Sequence, residues 1–163
     1  MEEQTIAPNI QKFHNYQTQF SRLNKAINAE FYLEAIFISY AIIEDRTESI
    51  LRHLGKWEAY EKSRKGRNLN LDSKIRYIQK IAEEKKTLAN RYLADGTLQR
   101  IWEWKEDRNR MIHALLKQAL SDGELAALAT TGKELACNLR TKSNNLNRAI
   151  KKAEEAEAAN TEQ

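Results

Sequence analysis

Residues 30–55, EFYLEAIFISYAIIEDRTESILRHLG, decide the fold. Leu33, Ile36, Phe37, Tyr40, Ile43, Ile50, Leu51 and Leu54 recur at helical steps, which winds them onto one apolar stripe. Gly55 follows where a helix C-cap calls for a left-handed residue. The first half carries a second stripe, Phe31, Ala35, Ile38 and Ile42, so this helix needs cover on two sides. The centre of a bundle supplies that cover, and so does a dimer.

Upstream, Pro8 suits a first helical turn, and Phe13, Tyr16, Phe20, Leu23 and Ile27 repeat at three and four residues. Downstream, periodicity fades between Lys56 and Asn70, where Lys62, Arg64, Lys65 and Arg67 gather around Gly66 as an exposed basic loop. Asp72 suits the cap of a helix through Ile75, Ile78 and Ile81, and a short helical piece reaches Leu93 before a turn at Asp95 and Gly96. Thr97 opens another helix. Ser121 and Glu124 form a capping-box pair ahead of Leu125, Leu128, Leu135, Leu139, Leu146 and Ile150, the apolar face of a long last helix. The stretch 153–163 has no large apolar residue and is expected to fray.

Five glycines and one proline in 163 residues leave few breaks, so the expectation is one all-α domain over 1–163. Four to five main helices form it, with the Glu30 and Thr97 helices packed together. A chain of this size removes roughly 70% of its unfolded surface from water and needs no disulfide. Cys137 is the sole cysteine and has no partner in the chain, which fits a reducing compartment. With neither a signal-peptide core nor a membrane-spanning apolar run in view, the expected location is cytoplasmic. A formal charge of +4 permits a polyanionic partner without demanding one.

The Thr97 helix carries the anomaly. Leu98, Ile101, Trp102, Ile112 and Leu116 share a face, yet Lys105, Arg108 and Asn109 lie on that face between them. A buried polar group without a partner costs roughly 1–3 kcal/mol, and an unpaired charge more, so something must answer these groups. His113 lies four residues after Asn109, within about 40° of it around the helix, so imidazole and amide can reach into the same space. Glu44, on the core-facing stripe of the Glu30 helix, is the candidate partner for the Arg108 guanidinium.

The segment Arg108, Asn109, Arg110, Met111, Ile112, His113 resembles the Arg, polar residue, variable residues, His motif of HEPN domains, with Arg-x4-His spacing. HEPN domains are all-α bundles of about this length, with the motif on a late helix and an acidic residue on an earlier one, as Glu44 stands here. A second match, Arg46 to His53 with Thr47 as its polar residue, lies off the core stripe and interrupts no apolar face; it reads as solvated or interface side chains. His14 reads as structural.

The resemblance implies a metal-independent endoribonuclease in which two copies of the motif meet across a homodimer to form one cleft. It also implies a toxin or a defence and stress role, with RNA as substrate and an antitoxin protein as a partner of such toxins. Cleaving RNA through its own 2′-hydroxyl needs a group that exchanges a proton near neutral pH and a fixed cation for the phosphate. His113 suits the first task and Arg108 the second. Asn109 suits orienting the imidazole or a phosphate oxygen, and Lys105 adds a charge one turn away. Arg110 with Lys62, Arg64, Lys65 and Arg67 supplies candidate RNA contacts. Two-fold symmetry supplies the second histidine that divided acid and base roles require.

One cysteine and three scattered histidines make no zinc pattern, and no Gly-rich phosphate loop or nucleophile elbow occurs, so neither metal nor cofactor is expected. The alternative from another class is a non-catalytic helical binding module or adaptor, whose buried polar cluster sets pairing specificity.

Overall fold

A computed structural model describes residues 8–161 except Gly66, Leu116 and Gln118. Leu116 and the side chain of Phe13, both counted in the expected apolar faces, lie outside the described residues, as do 162 and 163. Seven helices and no strand form within them: α1 (Pro8–Asn28), α2 (Tyr32–His53), α3 (Trp57–Arg64), α4 (Leu71–Ala82), α5 (Leu88–Leu93), α6 (Thr97–Ala114) and α7 (Asp122–Thr161). The all-helical class is as expected; beside the longer helices stand the short α3 and α5, of which α5 is the short piece expected before the Asp95 turn. Part of the expected basic loop is α3, held by the buried ring of Tyr60, whose hydroxyl shares a 2.6 Å hydrogen bond with Ser73. The stretch expected to fray stays helical to Thr161, with its side chains exposed through residue 160.

Local chemistry sets the boundaries. Gly55, at φ +64°, ends α2: its N–H donates to the Arg52 carbonyl at 3.0 Å while Lys56 donates to Leu51 at 2.8 Å. This is the Schellman closure, and its left-handed residue is strained for anything with a Cβ. Asn70, not Asp72, caps α4, its side chain accepting from the Ser73 N–H at 3.0 Å. That leaves the Asp72 carboxylate free to face α6. Ser121 and Glu124 close the expected capping box at the head of α7, at 3.0 and 3.3 Å.

α2 packs most extensively along α7 and also meets α1, α3 and α4, while α6 packs on α7 and α4. The expected direct packing of α2 on α6 is thus reduced to side chains reaching across. Ile36, Ile43 and Ile50 of α2 and Leu135, Leu139 and Leu146 of α7 are fully buried, joined by Leu23, Ile75, Ile78 and Ile101. Each such side chain stabilises the fold by roughly 1.5–3 kcal/mol on burial, and truncating one, as in Leu139→Ala, costs about 2–5 kcal/mol. The α2 stripe is displaced from its expected centre: Ala35 and Ile42 turn inward, whereas Phe31, Leu33 and Phe37 stay exposed, Phe37 by 54%. Among the described residues no helix is long and apolar enough to cross a membrane.

Candidate functional site

α6 is covered on two sides. Trp104 and Met111 turn toward α7, where the indole N–H donates to the Leu128 carbonyl at 2.9 Å, and Leu98, Ile101 and Trp102 join the core between them. Trp104 and Met111 extend the apolar face read from sequence.

Lys105 is buried, with 10% of its side chain exposed, and its ammonium donates to Asp72 at 3.1 Å and meets Glu106 at 2.8 Å. Trp102 donates its indole N–H to the same Asp72 oxygen at 2.7 Å. Burial by itself pulls the Lys105 pKa down, but the hydrogen bonds and charges of Glu106 and Asp72 outweigh it and raise the pKa. This lysine is a neutralised structural cation, which argues against its expected role beside a scissile phosphate.

Arg108 is answered differently. Its guanidinium carbon stands 4.6 Å from the ring centre of Tyr40 and 5.2 Å from that of Phe37, both on α2. Nη1 donates to the Asn109 side-chain oxygen at 3.1 Å, and Nε is buried with no hydrogen-bond partner. The expected Glu44 pair does not form: Glu44 faces the buried ammonium of Lys74 at 3.6 Å, which Glu48 also approaches at 4.0 Å. A lysine one turn into α4 competes for the carboxylate, and nothing in the α2 pattern announces it. Among the described residues no carboxylate pairs with Arg108. Tyr40 lies between these groups, its hydroxyl pKa raised by burial and by Glu44 and lowered in part by Arg108 and Lys105.

His113 is exposed in the last turn of α6 and makes no hydrogen bond or ion pair among the described residues. Five residues after Arg108, it lies about 140° around the axis, so the two share a helix end but not a face within one chain. Asn109 is half-buried beside Arg108. Arg110 is exposed and paired with Asp107. Lys62 and Arg64 stand on α3, and Lys65 and Arg67 follow it. Arg64 reaches the Asn68 carbonyl at 3.4 Å, and among the described residues none of the four hydrogen-bonds or ion-pairs with the α6 site residues. His14 is exposed on α1.

Of the two readings for the second motif, solvated or interface side chains, the first does not hold for Arg46. Arg46 keeps 11% of its side chain exposed; it donates to the Tyr16 hydroxyl at 2.6 Å and to Asp45 at 2.5 Å, over a Tyr16 ring 4.2 Å away. His53 shares a 3.1 Å hydrogen bond with Ser49.

Sequence reading missed Phe37 and Tyr40 as the rings that hold Arg108, and Asp72 and Lys74 as the groups that decide the ion pairing. Phe37 and Tyr40, three residues apart on one helix, carried a readable signal for an aromatic clamp. Among the described residues no three of His, Cys, Asp or Glu gather as a metal-binding group. The chain matches no protein-family model, no curated protein and no solved structure.

Proposed function

We propose that the chain is a metal-independent endoribonuclease of the HEPN kind, working as a homodimer. The observation that carries this reading is Arg108, a half-buried guanidinium held by two aromatic rings with no carboxylate among the described residues to neutralise it. Such a cation is a ready receptor for an outside anion, because its desolvation is already met and its orientation is set. His113, exposed and unpaired at the same end of α6, has an imidazole free to move a proton.

Phe31, Leu33 and Phe37 are exposed at the head of α2, and Phe37 also holds the Arg108 guanidinium. Burial of that patch against a second copy brings two α6 ends together and pairs two Arg108 and two His113 around one groove. In the reaction, one imidazole takes the proton of the 2′-hydroxyl and the freed oxygen bonds to phosphorus. The bond from phosphorus to the 5′-oxygen breaks, and the departing oxygen takes a proton from the second imidazole. Arg108 holds the phosphate oxygens as charge builds on them, and Asn109 steadies the guanidinium. The products are a 2′,3′-cyclic phosphate and a 5′-hydroxyl. A toxin or defence role in the cytoplasm, opposed by an antitoxin protein, follows from the same reading.

Incubating purified protein with RNA in excess EDTA tests it. Cleavage ending in 2′,3′-cyclic phosphate is expected, together with a dimer by light scattering at tens of micromolar. Intact RNA with a folded dimer would transfer the site to the non-catalytic binding module.

A further inference from the structure

Arg46, Ser49 and His53 follow one another on α2 at three and four residues, so they share a face. That face looks into an open cleft of about 680 Å³ between α1, α2 and α7, which Lys12, Arg140, Asn144 and Arg148 also line. The lining holds five lysines and arginines against a single carboxylate, Glu48, and that carboxylate is taken by Arg52 at 2.9 Å. Asp45, behind the lining, pairs with Lys12 at 2.9 Å and with Arg46.

After these pairings the cleft keeps unanswered positive charge. Arg140 lies over the Phe20 ring at 4.3 Å, and among the described residues neither Arg140 nor Arg148 pairs with a carboxylate. The His53 imidazole reports the same field: burial first, then the charges of Arg46, Lys151 and Lys12, hold its pKa below the usual value. An ordinary solvated charged face intersperses both signs and lets its long side chains wander. Here the signs are unbalanced, the surface is concave, and Arg46 is locked by the Tyr16 ring, the Tyr16 hydroxyl and Asp45. A guanidinium fixed during folding loses little further freedom when it meets a ligand.

We propose that this cleft binds a phosphate ester carrying two or more negative charges, with Arg46 as fixed anchor and Arg140 and Arg148 as the arms that close on it. Guanidinium groups take phosphate oxygens in pairs, which suits three arginines around one polyanion. His53 and the Asn144 carboxamide line the same cleft, where they meet a sugar or base. The ligand chemistry is shared by a nucleoside diphosphate and by the backbone of a short RNA. The site is separate from the Arg108 face and does not depend on the reading given to it.

Isothermal titration of the full chain with inorganic pyrophosphate, at about physiological salt, tests the proposal. Saturable binding is expected, and Arg140→Gln/Arg148→Gln weakens it by about tenfold or more. Both side chains are exposed, so the fold should persist, as a thermal melt checks. Lys80→Gln/Lys85→Gln, at exposed positions outside the cleft lining, removes the same charge elsewhere and should leave affinity within about twofold. No binding by the wild-type chain, or equal losses in the two double variants, overturns the proposal. ADP and a 2′-O-methyl hexanucleotide, run on the same proteins, assign the source by which one depends on Arg140 and Arg148.

Discussion

Trp104 of α6 and Gly132 of α7 claim the same space: a Cβ on Gly132 would stand 2.5 Å from the indole Cζ2 and 2.9 Å from Cε2. The ring is 2% exposed and tied to the Leu128 carbonyl, so it has no room to withdraw. Alanine in a helix interior gains about 1 kcal/mol over glycine, whereas overpacking costs about 1–3 kcal/mol and a lost hydrogen bond about 1 more. Gly132→Ala should therefore lower stability by about 1–3 kcal/mol. At Gly123 the nearest atom to an added Cβ is 4.0 Å away, and Gly123→Ala should leave stability unchanged or raise it by up to about 1 kcal/mol. Thermal melts of the two variants, moving in opposite directions, check the packing.

Asp72 is the hinge between α4 and α6, accepting from both Trp102 and Lys105. Asp72→Asn leaves Glu106 as the remaining partner of a buried ammonium, so the cost should fall short of an isolated buried charge, at about 1–2 kcal/mol. Asp72→Asn/Lys105→Met should regain part of it. Denaturant titration of the single and double variants measures the coupling.

For Arg108, the partners observed keep the structural cost of truncation small. Because Glu44 is satisfied by Lys74, Arg108→Ala strands no carboxylate and forfeits two ring contacts, worth about 0.5–2 kcal/mol. The variant should stay folded and lose RNA cleavage. His113→Ala should lose cleavage with an unchanged melting temperature, since the side chain is exposed. Wild-type cutting by His113→Ala would remove the catalytic assignment.

Acid should weaken the contact where α1 meets α2. Burial alone would raise the Asp45 carboxyl, but hydrogen bonds from Tyr16, Arg46 and Lys12 outweigh it and bring the pKa down to about 2. The folded chain therefore holds that proton less tightly than the unfolded chain. The stabilisation is fully present above the ordinary carboxylate value near 4 and is lost as pH falls toward 2. Melting temperatures of wild type and Asp45→Asn should differ at neutral pH and converge in that window. A constant difference down to pH 2 would contradict the linkage.

The sequence by itself marked the helices other than α3 and the end of α7. Their apolar spacing, the Ser121–Glu124 capping box and the Gly55 stop act within one or two turns, where propensity and backbone hydrogen bonding need no distant partner. It also marked Arg108, because a charge set into an apolar stripe is visible in a single helix. What only the tertiary structure decided is which group answers which. Glu44 turned to Lys74, Lys105 to Asp72, and Arg108 to Phe37 and Tyr40, from helices far apart in the chain. Asp72 read as a cap because local rules allow it, yet Asn70 took that place and freed the carboxylate for α6. Arg46 and His53 read as either solvated or interface side chains because one helix cannot tell whether two others will rise around its polar face, and α1 and α7 do so. Ion pairing and concavity depend on distances between chain segments, and periodicity along one segment carries no information about them.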